Sequence, residues 1–493
     1  MPDRPVTGEF TGLDNLARAF AKVAEDDPGH PALIVDGVKL CYGRLLEQVR
    51  RVGAGVSALR SDGKPPRVAL SLGNRPELPV LFLGTVAAGG VVGLLDPKWS
   101  AGQAAAALET LRPDLHLTAE AAAAWIAAQP AGWSIPTVDP KTPFLVGFTS
   151  GTTGRPKAFI RNQGSWLATL EASRVEFGIG PSDTVLVPGP LVHGLGLYGL
   201  VEGLSAGATV WVQPKFDAAD AAARLEESDI TTLVLVPTML VGILDAAERD
   251  GRRFPLLKRV VCSGAKLAPA VHERLTVLCP EAAILEYYGA SELSFVSLRS
   301  SHEGAPADSV GRPFHGVELS LRDDDGNPVE QGRPGTVWVR SGMLSDGYLG
   351  TADSAGFRES DGWGTVGDYG WIDAKGWLRL VGRAGDMVIT GGLNVYPAEV
   401  EASLRAHPAV AEAVVFALPD PYWGDTVSAV VWWRGAQRAS LADLRSWCHQ
   451  RLEGYKAPRR VFAAADMPLT GSGKIARADV RDRAIAGRLE TLE

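Results

Sequence analysis

Cysteine is scarce: four residues, Cys41, Cys262, Cys279 and Cys448, are scattered over 493 positions with no Cys-x-x-Cys pair. This excludes a disulfide-stapled scaffold and a thiolate zinc site, and reduced, structural thiols of a cytosolic protein are expected instead. A basic surplus is missing as well. Lys and Arg number 49 against 57 Asp and Glu, a formal net charge of −8, whereas a nucleic-acid binder carries a basic stripe or excess. No nucleic-acid partner is therefore expected. The opening residues, MPDRPVTGEF, lack the basic-then-apolar pattern of a secretory leader, so the expected location is cytoplasmic. Long hydrophobic runs are nearly absent. The one candidate, Leu78 to Leu95, has 18 uncharged residues, but Pro79 and the Gly89-Gly90 pair interrupt it. It reads as a buried helix, a turn and a buried strand ending at Asp96-Pro97, not as a transmembrane segment. Repeats and low-complexity tails are also lacking.

What is present is length and an alternating rhythm. The chain exceeds what one hydrophobic core usually organises, and 46% apolar residues can fill several, so at least two domains are expected. Short β-rich runs, Arg67 to Leu72, Thr184 to Val187, Thr209 to Val212 and Thr232 to Val236, alternate with longer Ala/Leu segments, which is an α/β pattern. The Ala-rich stretch from Ala101 to Ala128 has helix composition and is expected to serve only as packing. Beyond about Thr336 the chain becomes strand-rich, and DDDGN at Asp323 to Asn327 and DAKGW at Asp373 to Trp377 predict hairpins.

The chemistry begins at Phe148 to Ala158, FTSGTTGRPKA. Gly147, Gly151 and Gly154 allow a tight turn that presents N–H groups, Thr149, Ser150, Thr152 and Thr153 add hydroxyl donors, and Lys157 adds charge: a cradle for a nucleotide's phosphates. Gly151 and Gly154 are too close for the Walker A spacing, which disfavours an ordinary NTPase. Two other motifs are decoys. GLGLYG at Gly194 to Gly199 matches a dinucleotide fingerprint, but six residues separate it from the preceding strand-like run. GLSAG at Gly203 to Gly207 matches a nucleophile elbow, but follows a helix and precedes a strand, the reverse of the hydrolase order.

The phosphate-loop string resembles the signature of the adenylate-forming superfamily, which includes acyl-CoA synthetases, peptide-synthetase adenylation domains and luciferases. Further segments follow in that family's order: PLVHG at Pro190 to Gly194, YGASE at Tyr288 to Glu292, Gly335 to Tyr348, Gly367-Asp368, GRAGDMVITGGLNVYPAEVE at Gly382 to Glu401, and PLTGSGKIAR at Pro468 to Arg477. The resemblance covers nearly the whole chain and is closest in pattern to bacterial acyl-CoA synthetases. It implies an α/β fold in which a large, multi-layer N-terminal adenylation domain of mixed sheets and helices (residues 1–383) is joined by a hinge (384–386) to a small, mobile α+β C-terminal domain (387–493). Gly385 stands where relatives carry Asp or Lys, so the hinge is expected to hold its two end states less sharply.

The same resemblance implies a two-step ligase: a carboxylate attacks the α-phosphate of ATP, releasing pyrophosphate, and coenzyme A then displaces AMP. A carrier-protein thiol or an amine is the alternative acceptor, and a homodimer is left open. Lys474, in a glycine-flanked loop, is expected to bridge carboxylate and α-phosphate. Glu292 is expected to hold Mg2+. Asp368 and Arg383 would hold the ribose, and the adenine would lie between Ser263-Gly264-Ala265 and Tyr287-Tyr288-Gly289, with Ser291 nearby. His193 resembles the residue that faces the acyl site, whose wall would include Leu195, Gly196, Tyr198, Val236, Met239 and Ser294. That wall carries no obvious second cation and no acid to receive an ammonium, so the expected substrate is an apolar aliphatic or aromatic monocarboxylate. Gly391, Gly392 and Leu393 would line the path of CoA, and Lys456, with Arg459 and Arg460, would meet a CoA phosphate.

Overall fold

The structure is a computed structural model and describes residues 10, 12–61, 63–149, 157–350, 357–383, 387–390, 393–420, 422–471 and 473–492. The chain forms two compact units. One contains the residues up to Leu319 together with Val339–Val366; the other contains Ser320–Trp338 and the residues from Gly367 onward. The stretch expected to form the hinge, 384–386, lies outside the described residues.

The first unit contains two predominantly parallel sheets. The nine-stranded sheet runs Arg312–Pro313, Ser294–Ser300, Ala283–Ala290, Arg259–Ser263, Thr232–Leu235, Thr184–Val187, Thr209–Val212, Pro31–Val35, Val38–Cys41. Its interior pairs are parallel, and antiparallel partners close the edges. Interior strands covered on both faces must be apolar throughout, which is why TLVL at Thr232–Leu235 is buried at every position. The five-stranded sheet has the order Leu115–Thr118, Arg67–Ser71, Val91–Leu94, Pro143–Thr149, Lys157–Asn162, parallel except for its last pair. Helices Ala218–Glu227, Pro237–Asp250 and Pro269–Leu278 bury Leu225, Leu240, Leu244, Val271 and Leu275 in one core against strand residues such as Leu233 and Val260.

The segment from Leu78 to Leu95 forms helix Glu77–Ala87 and strand Val91–Leu94, as expected. No helix among the described residues is long and apolar enough to cross a membrane. The Ala101 to Ala128 stretch departs from expectation. It is two helices, Ala101–Leu111 and Ala119–Ala127, separated by strand Leu115–Thr118. Pro113 disfavours helix for the residue before it, and Arg112 takes a left-handed conformation (φ 48°) that ends the first helix. Nor is the stretch mainly packing: its helices bury only Ala107, Leu111, Ala122 and Ile126, and most of the alanines lie at the surface or half-buried.

In the second unit, Gly424–Trp433 pairs with Val410–Asp420, Val388–Thr390 and Arg460–Ala463. Helices Pro397–Arg405 and Leu441–His449 bury Val400, Leu404 and Leu444 in one core, while helix Arg477–Ile485 places Val480 and Ala484 in another with Val414, Phe416 and Trp432. Asp368–Ile372 and Leu378–Arg383 form the hairpin predicted from DAKGW, with Gly376 at φ 84°.

Candidate active site

The carboxyl ends of two neighbouring parallel strands define the first part of the site. Arg259–Ser263 pairs with Ala283–Ala290 so that Ser263 lies opposite Tyr287. Gly264 (φ 101°) then turns the chain away, and Gly264 and Ala265 are exposed beside the half-buried Tyr287, Tyr288 and Gly289. This is where ligands of parallel sheets bind. The Tyr287 ring already packs edge-on against Phe295, with centroids 4.6 Å apart. Gly289 has a steric role: a Cβ there would lie 2.2 Å from the Ser294 carbonyl oxygen, so only glycine permits this bulged turn. Across the turn Ser294 holds a left-handed backbone (φ 61°) and its hydroxyl lies 3.3 Å from that of Thr169.

One residue that the sequence did not single out fixes this region. Glu286 accepts hydrogen bonds from the Leu267 N–H (2.9 Å) and from Arg299, and pairs with His272 Nε2 (2.8 Å). Burial pushes its carboxyl up, but these partners outweigh that and hold it below the usual carboxylate range. Glu286 thereby ties the Gly264–Leu267 loop to the strand that carries Tyr287.

Glu292 is 8% exposed and accepts a 2.5 Å hydrogen bond from the Tyr348 hydroxyl, while its carbonyl accepts from the Ser345 N–H at 2.8 Å. Beside it lies Arg161, also unforeseen, whose Nε donates to Ser165 Oγ and whose Nη1 donates to the carbonyl of the exposed Ser291, both at 3.1 Å. Burial pulls the Arg161 guanidinium down to about 10, opposed by the charges of Asp346 and Glu292. Lys157 begins strand Lys157–Asn162 with its side chain half-buried, and its backbone pairs with Thr149. Ser150, Gly151, Thr152, Thr153 and Gly154 lie outside the described residues. Among the described residues no cluster of three or more His, Cys, Asp or Glu is poised for a metal.

The histidine loop precedes helix Gly194–Ser205, with His193 at its N-cap. Asn74 pins that loop: its amide donates to the Gly189 and Gln213 carbonyls (2.9 and 2.8 Å), and its oxygen accepts from the Leu191 N–H (2.7 Å). His193 Nε2 stands 3.7 Å from Asp96 Oδ2, so the Asp96-Pro97 strand end contributes a carboxylate unread in the sequence. The dinucleotide-like glycines serve packing. A Cβ on Gly196 would meet the Pro190 carbonyl at 2.6 Å, and one on Gly203 would meet Val210 at 2.6 Å. Leu195 is half-buried, Tyr198 buried and hydrogen-bonded to Ser173 Oγ (2.7 Å), Val236 the N-cap of helix Pro237–Asp250, and Met239 half-buried beside Gly189.

The remaining residues belong to the second unit. Asp368 is 7% exposed and directly opposite Arg383 in the antiparallel register. Lys474 is exposed on a tight reversal, where Thr470 N–H donates to the Lys474 carbonyl (2.7 Å) and Lys474 N–H to Thr470 Oγ1 (3.2 Å). Arg477, just beyond, bonds the buried Glu401. Lys456 is engaged by Glu399 (2.8 Å) and Glu453 (2.9 Å), so a CoA phosphate would have to displace two carboxylates to reach it. The Arg459 guanidinium lies 4.1 Å from the centre of the Trp423 ring. Leu393 is exposed; Gly391 and Gly392 lie outside the described residues.

Two family matches divide the chain: AMP-binding enzyme over residues 20–349 and AMP-binding enzyme C-terminal domain over residues 399–474. The chain belongs to the AMP-binding enzyme family. Over 489 residues it is 34% identical to an uncharacterised acyl–CoA ligase, YhfT, of Bacillus subtilis, covering 94% of this chain and 98% of that protein. It is 30% identical to a feruloyl-CoA synthase of Amycolatopsis over 483 residues, covering 93% and 97%. Its fold superposes on the amide bond synthetase McbA of Marinactinospora thermotolerans with a TM-score of 0.84 and 27% identity, over 94% of this chain and 99% of that one.

Proposed function

We propose that this AMP-binding enzyme joins an apolar aliphatic or aromatic monocarboxylic acid to coenzyme A with ATP, releasing pyrophosphate and then AMP. Likeness to acyl–CoA ligases along almost the full length, in both family domains, carries this reading. We assign adenylation to a body of residues 1–383 and the mobile role to residues 387–493, and we place the enzyme in the cytoplasm.

In the first step an anion meets a polyanion, so the site must neutralise charge and align the partners. The loop through Lys157 would hold the phosphates, Asp368 and Arg383 the ribose, and the Ser263–Ala265 and Tyr287–Gly289 strand ends the adenine. His193, steadied by Asp96 and by the Asn74-pinned loop, would flank the acid. Lys474 would supply the cation between carboxylate and α-phosphate. A single buried carboxylate, Glu292, fits Mg2+, which binds through one or two protein carboxylates together with substrate phosphates and needs no all-protein cage. When bound, the ion neutralises phosphate charge. For the second step Leu393 would border the CoA path, and we assign the nucleotide phosphate to Arg459 and Arg460, since Lys456 is engaged by acids.

The test is to incubate the protein with ATP, magnesium and a panel of aliphatic and aryl acids, with and without CoA, and to identify products by mass spectrometry. Acyl-CoA and AMP are expected. Acyl-adenylate formed with CoA ignored would move the acceptor to an amine or a carrier-protein thiol, a second reading favoured by the fold shared with an amide bond synthetase. Absence of any adenylate would overturn both.

A further inference from the structure

The proposed acyl-site helix carries a buried acid that this chemistry does not use. Glu202 is 6% exposed, and its Oε1 has no hydrogen-bond partner among the described residues. An isolated buried carboxyl oxygen is costly, and such groups call for a specific explanation. In helix Gly194–Ser205, Leu195, Tyr198 and Glu202 are spaced i, i+3, i+7 and share one face, while Gly203 and Gly199 turn another toward Val210 and Val234 of the sheet. The Glu202 face thus starts at half-buried Leu195, beside His193, and runs inward.

Aromatic rings border that face. Tyr198 packs edge-on against Trp166 and Phe295, with centroids 5.3 and 5.2 Å away, and Phe295 in turn against Tyr287 and Phe177. Polar atoms punctuate the rings: the Tyr198 hydroxyl bonds Ser173, and the Ser173 hydroxyl also faces Glu202. Among the described residues, Arg259 is the one formally charged group that acts favourably on Glu202. Arg259 is itself engaged by Asp183 at 3.0 Å, so among the described residues Glu202 has no dedicated counterion. Burial raises its carboxyl to about 7, and near neutrality it therefore offers both an O–H donor and an acceptor. An ammonium, which needs a full carboxylate, fits less well than a neutral hydroxyl.

We propose that Glu202, with Ser173 and Tyr198, reads a hydroxyl at the far end of the acid, so that the preferred substrates are aryl or chain acids bearing a distal hydroxyl. The inference rests on the acid-activating reading above. His193 and Glu202 are nine positions apart, roughly 13 Å of helix. That matches the span of a para-hydroxycinnamate with one side chain reaching it at each end.

The experiment compares para-hydroxycinnamate with cinnamate by kcat/KM for AMP release in the unaltered enzyme, Glu202→Gln and Glu202→Leu. The unaltered enzyme should prefer the hydroxylated acid by about tenfold or more, because the analogue leaves a buried polar group unpaired. Glu202→Gln should keep part of the preference, whereas Glu202→Leu should abolish or reverse it, chiefly through a higher KM for the hydroxylated acid. A ratio within twofold of one in the unaltered enzyme overturns the proposal, and this arm needs no variant to fold. An equal preference in Glu202→Leu overturns it as well. If cinnamate or fatty acids are activated while hydroxylated acids are refused, the inference falls and acid activation stands. If no acid is activated, both fall.

Discussion

At the scale of single residues, the buried charges make the sharpest predictions. Glu202 binds its proton more tightly folded than unfolded, since burial lifts it from an ordinary value of 4.5 to about 7. Its favourable contribution is therefore full below the unfolded value and is lost as pH rises through about 7. Glu202→Gln should accordingly be more stable than the parent near pH 8, by up to about 3 kcal/mol, with the gap closing toward pH 5; urea titrations across that range read it directly. For Lys474→Ala, pyrophosphate release should slow by roughly 10² to 10³ with ATP binding little changed, which single-turnover kinetics would separate. Glu292, Asp368, His193 and Lys474, whose roles are proposed above, were open to selection as candidates by residue type and motif. Asp96, Arg161, Glu202 and Glu286 were not. Arg161 meets the Ser291 carbonyl across 130 residues, and Glu202 is conspicuous only because its Oε1 has no hydrogen-bond partner among the described residues. Neither fact leaves a trace in local spacing.

At the scale of elements, two buried side chains hold loops in place. Asn74 joins the end of one sheet to the histidine loop with three hydrogen bonds. Asn74→Ala should cost about 2–4 kcal/mol, since it leaves two carbonyls and one N–H without partners, and should raise KM for the acid more than KM for ATP. Glu286→Gln should do the opposite. Gln cannot satisfy His272, Arg299 and the Leu267 N–H at once, so KM for ATP should rise several-fold while that for the acid holds, as isotope-exchange kinetics would register. Most elements could be read from apolar runs, because strands covered on both faces announce themselves: the runs beginning at Arg67, Thr184, Thr209 and Thr232 all became strands. Ala101 to Ala128 misled because alanine favours helix whether or not it is buried. The short strand Leu115–Thr118 is fixed by pairing with Arg67–Ser71, a partner remote in sequence.

At the scale of the whole molecule, the fold rests on packing without covalent cross-links. All four cysteines are free, three of them buried. Unfolding temperatures with and without dithiothreitol should coincide, and thiol titration should find four reactive groups only after denaturation; a reductant-dependent shift would count against this. The broad α/β character and the domain-scale resemblance were open to sequence reading, since they depend on pattern over tens of residues. Strand order was not. Pro31–Val35 takes its place in the nine-stranded sheet beside Thr209–Val212, with Leu33 opposite Val210, and the Tyr42 hydroxyl, with one proton to give, lies within hydrogen-bond distance of the Leu204 and Ala208 carbonyls (3.0 and 2.8 Å). During synthesis, then, the apolar strand at residue 31 leaves the ribosome long before its neighbour exists. At about 5–20 residues per second, it waits roughly 10 to 35 s for residues 209–212. The large sheet cannot assemble as the chain emerges but must close late, and nascent chains halted before residue 209 should be digested by protease at the first hairpin, whereas chains halted well beyond it should resist.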